Sequence, residues 1–292
     1  MSQSRLYLSV RKPEAHHIAS ILDPIFEEEA LSTALFEDKD NPGNWCWSVY
    51  IDGNAVPTTR SFIQDKLGGD AFSAEILEEK LDDIDWVSHT LRDLSPVSAG
   101  RFFVHGSHDR AAALNKPVAV EIDAGLAFGT GHHGTTAGCL DMLERILRRR
   151  RPTKAMDVGT GSGVLAIALA KATRLPVLAT DIDAVSVKVA RENARKNGTG
   201  AQIVTQTATG FNHPAFAHFG SADLIFANIL ARPLEALAHP LAQHLSPGGD
   251  VILSGLLPHQ KARIVSAYRR QGLVLERAHI RDGWLTLLMN RP

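Results

Sequence analysis

The stretch MDVGTGSGVLAIAL, residues 156–169, decides how the chain is read. Its start reads as a short apolar strand and its end as an apolar helix, with Gly159, Gly161 and Gly163 between them. Glycines at alternate positions let the backbone turn tightly and approach a ligand with no side chain in the way. A dinucleotide-binding turn carries GxGxxG, its third glycine serving close helix packing beside a pyrophosphate. Val164 occupies that place here. The loop, preceded by Asp157, therefore reads as a nucleotide-like cofactor site, and the glycines alone leave the cofactor open.

Working outward, the next strand ends in ATDID, residues 179–183, with Asp181 standing 22 positions after Gly159. That is close to the ~20 residues expected of an acid that holds both ribose hydroxyls, and a carboxylate there disfavours a 2′-phosphate. The site calls for an adenosine with a free ribose. Asp183 begins the following helix and reads as its N-cap. Strand and helix patterns then alternate through AQIVTQT, ADLIFANILARPLEALAHPLAQHL and GGDVILSGLLPHQKARIVSAYRRQG, and two closing strands, LVLERAHIR and WLTLLMN, finish the chain. Such alternation predicts a doubly wound, mostly parallel sheet of α/β class, with ligands at the carboxyl ends of its strands. One strand of that set stops at a lone Asn228 before a helix restarts. An asparagine there is either a helix cap or a placed pair of hydrogen-bonding groups.

The 292 residues suffice for two domains, since single cores stop growing near ~250 to 300 residues. Residues 1–84 read as strand, helix, two strands, helix, strand, a smaller α+β domain of the split ferredoxin-like kind. Leu6, Leu8 and Val10 alternate in the first strand; Ile18, Leu22, Ile25 and Phe26 share a helix face that Pro24 is expected to kink or end; Trp45, Trp47, Val49 and Ile51 share a strand face. Residues 85–95 read as a polar linker helix, and 96–292 as the cofactor-binding domain.

Apolar runs are too short for a membrane span, and MSQSRLYLSVRK alternates like a strand and lacks the apolar core of a signal peptide, so a cytoplasmic protein is expected. Cys46 and Cys139 show no CxxC spacing and read as reduced, partly buried thiols. His213, His218, His239 and His244 lack metal-ligand spacing, and no metal is expected. Residues 1–95 hold 18 Asp and Glu against 8 Lys and Arg, and the remainder 14 against 23. An acidic front portion repels phosphate and draws a basic partner. Arg148 to Arg151 read as a solvated helix end, and Trp45 with Trp47 as core or a protein-binding face rather than an RNA stacking platform.

DVGTGSG, TDID and ANIL in this order, with FGTGHHGTT upstream, resemble S-adenosylmethionine-dependent methyltransferases of class I, and more closely the ribosomal protein methyltransferase family PrmA, whose members modify large-subunit ribosomal protein eleven. The resemblance covers nearly the whole chain. It implies a seven-stranded Rossmann-like methyltransferase domain, S-adenosylmethionine as cofactor, and a basic ribosomal protein as substrate, with no stable nucleic-acid partner. Carried over by position, Thr136, Gly159, Asp181 and Asn228 match the family's cofactor contacts. Where the family usually reads Thr-His-Pro-Thr-Thr, this chain reads His132-His133-Gly134-Thr135-Thr136.

Methyl transfer from a sulfonium is an in-line displacement that asks chiefly for a neutral amine at the right distance and angle. The Asn228 side-chain oxygen and the Ile229 carbonyl are expected to accept N–H bonds from that amine. Ile229, Leu230 and Ala231 stand where an aromatic clamp for flat substrates would follow, which favours an aliphatic amine, a lysine side chain or a chain amino terminus. Such amines are mostly protonated at neutral pH. His133 or His132 is the candidate proton acceptor, with loss to water as the alternative. The competing readings are a methyltransferase of RNA or a small molecule, a nicotinamide-dependent oxidoreductase, and a silent ribosome-binding module.

Overall fold

The computed structural model describes residues 3–28, 31–38, 41, 43–68, 74–81, 96–122 and 133–292. The chain divides into two compact units, Met1–His89 and Thr90–Pro292. The linker helix expected over 85–95, the segment FGTGH and the His133 side chain lie outside the described residues.

In the first unit β1 (Gln3–Arg11), α1 (Lys12–Glu28), β2 (Ser32–Glu37), β3 (Asn44–Asp52), α2 (Val56–Lys66) and β4 (Leu77–Leu81) follow in turn. The sheet runs β2-β3-β1-β4 with every neighbouring pair antiparallel. Strand alternation sends Leu6 and Leu8 to the same face as Trp47 and Val49, where they meet Ile18, Leu22 and Phe26 of α1 and Ile63 of α2. Trp47 is core, and its indole N–H donates to Asp23 at 2.8 Å. Trp45 is half-buried beneath the Lys12 ammonium. Helix α1 continues through position 24 instead of ending there. The backbone bond lost at a proline costs about 3 kcal/mol, and burial of Leu22 and Phe26 on either side offsets it.

The second unit opens with a small sheet of β5 (Val97–Ala99), β6 (Phe102–His105) and β7 (Val118–Glu121), with a one-turn helix α3 (Arg110–Ala113) between the last two. Then come α4 (His133–Arg149), β8 (Ala155–Val158), α5 (Val164–Thr173), β9 (Val177–Asp181), α6 (Ala184–Lys196), β10 (Ile203–Thr207), α7 (Pro214–Phe219) and β11 (Ala222–Asn228). The chain closes with α8 (Ala231–Ala236), α9 (Ala238–His244), β12 (Leu245–Leu256), α10 (Lys261–Arg269), β13 (Val274–Arg281) and β14 (Trp284–Asn290). Residues 231–244 form two helices because Pro240 lacks an N–H and would press on the carbonyl of Ala236, where the first one stops.

The seven-stranded sheet has the order β10-β9-β8-β11-β12-β14-β13, with β14 antiparallel to both neighbours and the other pairs parallel. Alternate residues feed two cores. Leu224, Phe226 and Ile252 pack with α4 and α5, while Ile225, Ala227 and Val251 pack with Leu234, Leu241 and Ile264 of α8, α9 and α10. A dinucleotide-binding sheet has six parallel strands in the order 3-2-1-4-5-6; the reversed β14 sets this one apart. The order turns back between β8 and β11, and that switch point is where such sheets bind ligands. No helix among the described residues is long and apolar enough to cross a membrane.

Candidate active site

Three strand ends meet at the switch point: Val158 of β8 leading into the glycine loop, Asp181 closing β9, and Asn228 closing β11. Each glycine of the loop has a separate reason to lack a side chain. Gly159 (φ +74°) faces Ile229, and a Cβ on it would stand 2.3 Å from Ile229 Cγ2. Gly161 (φ +53°) turns its N–H to Asp181 Oδ2 at 2.8 Å. Gly163 (φ +84°) lies against α6, where a Cβ would sit 3.1 Å from that of Ala190. It does the helix-packing work of the third glycine in GxGxxG, one position early.

The loop is braced from all sides. The N–H groups of Gly159 and Thr160 both donate to the Thr180 carbonyl, at 2.8 and 2.9 Å, and the Asn193 amide donates to the Ser162 carbonyl at 2.9 Å. Asp157 is buried beneath it, accepting from the Thr160 hydroxyl at 2.7 Å and the Ala166 N–H at 3.2 Å. Burial pushes its carboxyl up to about 6 against the lowering effect of those two bonds. Asp157 Oδ1 and the Ser162 hydroxyl remain buried with no partner among the described residues, two polar groups of the kind a bound ligand completes.

Asp181 also accepts from the Asp183 N–H at 3.1 Å. A carboxylate offers about four lone-pair sites, so acceptor capacity remains for ribose hydroxyls. Asp183 is the helix cap the sequence predicts, accepting from the N–H groups of Val185 and Ser186 at 3.0 and 2.9 Å. Ile182, between the two acids, is 69% exposed.

Asn228 is not the cap of α8. That position is Leu230, which makes no side-chain cap bond. Its amide nitrogen instead lies 3.5 Å from Thr135 Oγ1 in the first turn of α4. Thr136 is buried in the same turn. Gly134 lets this turn lie against the β13–β14 connection, where a Cβ would stand 2.6 Å from the Arg281 carbonyl oxygen. Across the site the peptide of Ile229 is pressed against Gly255 (φ +80°) of β12. Neither Thr135 nor Gly255 is singled out by the sequence, although a glycine inside the strand pattern VILSGLL is a sign of close backbone approach.

Among the described residues no group of three His, Cys, Asp or Glu gathers to hold a metal. Three of the four arginines in the run are engaged in ion pairs, Arg148 with Glu144 at 2.8 Å, Arg149 with Glu276 at 2.8 Å and Arg150 with Asp250 at 2.8 Å. The site fits an adenosyl sulfonium. The glycine loop allows close backbone approach, Asp181 keeps acceptor capacity to spare and Asp157 Oδ1 is a buried acceptor without a partner among the described residues, with Asn228 and Ile229 on the adjoining strand end.

A family model described as ribosomal protein L11 methyltransferase (PrmA) matches residues 23–292. The ribosomal protein L11 methyltransferase of Mesorhizobium japonicum is 50% identical over 287 residues, 98% of this chain and 99% of its own length. That of Rhizobium etli is 48% identical over 292 residues, the whole of both. Among solved structures, ribosomal protein L11 methylase from Lactobacillus delbrueckii subsp. bulgaricus is 32% identical with a TM-score of 0.61, covering 67% of this chain and 98% of that one.

Proposed function

The chain belongs to the ribosomal protein L11 methyltransferase family, PrmA, and from that premise we propose that it methylates amines of ribosomal protein L11, on lysine side chains, the chain amino terminus or both. S-adenosylmethionine, when bound, supplies a methyl group on a sulfonium. Gly159, Gly161 and Asp181 would hold its adenosyl part, with Asp157 as a further buried acceptor. Gly163 keeps the loop on α6, and Thr136 is assigned to the cofactor by position in the family motif.

The observation that carries this reading is the position of the Asn228 side chain at the end of β11, its amide nitrogen 3.5 Å from the Thr135 hydroxyl. It leaves the amide oxygen to accept an N–H from the substrate, with the Ile229 carbonyl one residue on. Two acceptors hold the N–H groups of an amine and so fix the direction of its lone pair, which is most of what in-line transfer asks of a protein; they favour the charged ammonium over the neutral amine, so the proton needs a separate acceptor. The amine would give up one proton before its N–C bond forms and the methyl–sulfur bond breaks, the sulfonium leaving as a neutral thioether, and the methylated ammonium could shed another proton afterwards. His133 is assigned as the acceptor of that first proton. A His133→Ala enzyme with unchanged rate and pH profile would remove it from the account and leave water in that role.

Residues 1–84 present the substrate, and their acidic surplus suits a basic ribosomal protein. RNA is the poorer substrate, since Arg148, Arg149 and Arg150 are engaged in ion pairs. A cytoplasmic location follows from the proposed substrate. Calorimetric titration with S-adenosylmethionine and with NAD tests the cofactor. Binding of the sulfonium alone is expected, and binding of NAD alone would overturn the reading.

A further inference from the structure

The acceptor pair rests on a single two-residue station of the neighbouring strand. In the register of β11 against β12, Asn228 stands opposite Ser254. Ser254 is fully buried, its hydroxyl 2.9 Å from the Thr286 hydroxyl of β14 and 3.4 Å from the Thr135 carbonyl oxygen. The Cys139 thiol, pushed up to about 12 by burial, is its other hydrogen-bonding neighbour and stays protonated. Helix α4 comes this close only because Gly138 lacks a Cβ, which would stand 2.3 Å from Thr286 Oγ1. A line of hydroxyls thus runs from Thr286 through Ser254 to the backbone of Thr135, whose own hydroxyl receives the Asn228 amide.

The next residue serves the other acceptor. A Cβ on Gly255 would stand 2.5 Å from the Ile229 carbonyl oxygen and 3.1 Å from its nitrogen, so only glycine lets the Ile229 peptide lie where it does. Buried hydroxyls are costly unless bonded, and a shorter set of apolar side chains would fill the same volume. We propose that Ser254 and Gly255, with Thr286 behind them, form the positioning element of the methyl-acceptor site, Ser254 setting the Asn228 amide through Thr135 and Gly255 setting the Ile229 carbonyl. These are positioning residues. The inference rests on the role given above to Asn228 and Ile229.

The test is steady-state kinetics of the full-length protein with purified L11 and S-adenosylmethionine, together with thermal melting of each variant. Ser254→Ala and Thr286→Val each lower kcat about tenfold, the worth of one buried hydrogen bond, with KM for both substrates within about twofold. Thr286→Ser keeps the hydroxyl and keeps kcat. Combined with Asn228→Ala, Ser254→Ala adds no further loss, because it acts through that residue. The inference is overturned if Ser254→Ala and Thr286→Val both turn over at the normal rate. It is equally overturned if Thr286→Ser is as impaired as Thr286→Val, or if the Ser254 and Asn228 losses multiply. Should Ser254→Ala fail to fold, the Thr286 pair decides alone. An Asn228→Ala enzyme with full turnover would instead refute the underlying role of Asn228, whatever the Ser254 variants do.

Discussion

The Asn228 amide nitrogen lies 3.5 Å from the Thr135 hydroxyl although 93 residues separate the two in the chain. One group comes from the end of a central strand and the other from the first turn of a helix, so the fold itself sets the angle of the Asn228 amide, whose oxygen is proposed to face the substrate. Removing that oxygen leaves the cofactor loop intact. Asn228→Ala is expected to lower kcat for L11 by about 10²-fold, the scale of a misplaced reactant, while calorimetric affinity for S-adenosylmethionine changes by only a few-fold. An equal loss in cofactor affinity would reassign the residue to cofactor binding alone.

Gly159 and Ile229 meet where a methyl group has no room, 2.3 Å from Cβ to Cγ2. Gly159→Ala should weaken cofactor binding more than tenfold, since the left-handed backbone at φ +74° adds strain of about 1–3 kcal/mol. Adding Ile229→Leu moves the branch off Cβ and should restore part of the affinity. Titration of the single and double variants reads both effects, and a double variant no better than the single one would contradict the contact.

Asp157 predicts a dependence of stability on pH. Its carboxyl is pushed up to about 6 from an ordinary 3.8 by burial, so between those values the folded state binds more proton than the unfolded one. Its contribution to stability is therefore greatest at low pH and is lost as pH rises through about 6. The difference in urea midpoint between wild type and Asp157→Asn should change over pH 4 to 7 in that direction. A difference that stays flat would mean the group is ionised throughout. If the carboxylate also accepts from the cofactor, affinity weakens as pH falls below about 6, and only in the wild type.

The N-terminal unit has its own core of Leu6, Leu8, Trp47 and Phe26, separate from the two cores that hold the cofactor sheet. Removing residues 1–95 should spare S-adenosylmethionine binding and abolish transfer to L11. A truncated protein that binds cofactor and methylates L11 at the normal rate would refute the presenting role.

The elements nearest the glycine loop were legible because period and punctuation agree there. An apolar strand, three glycines and an apolar helix admit one reading, and Asp181 and Asp183 follow at spacings with a physical reason. What escaped depends on which strands lie side by side. Thr135, Ser254 and Gly255 acquire their meaning only when β12 lies beside β11 and α4 crosses the end of both, and no local pattern states that. Pro24 and Pro240 show the same limit from the other direction. Each breaks a backbone bond; burial around Pro24 carries the helix through, while ahead of Pro240, at Leu237, the chain divides into two short helices.

The most direct measurement is intact-mass and peptide mass spectrometry of purified L11 incubated with S-adenosylmethionine and either the wild-type protein or Asn228→Ala. The predicted result is methyl additions on L11 amines with the wild type and almost none with the variant. Unmodified L11 in both reactions, or equal methylation in both, would contradict the claim that this strand-end asparagine presents an amine to the methyl donor.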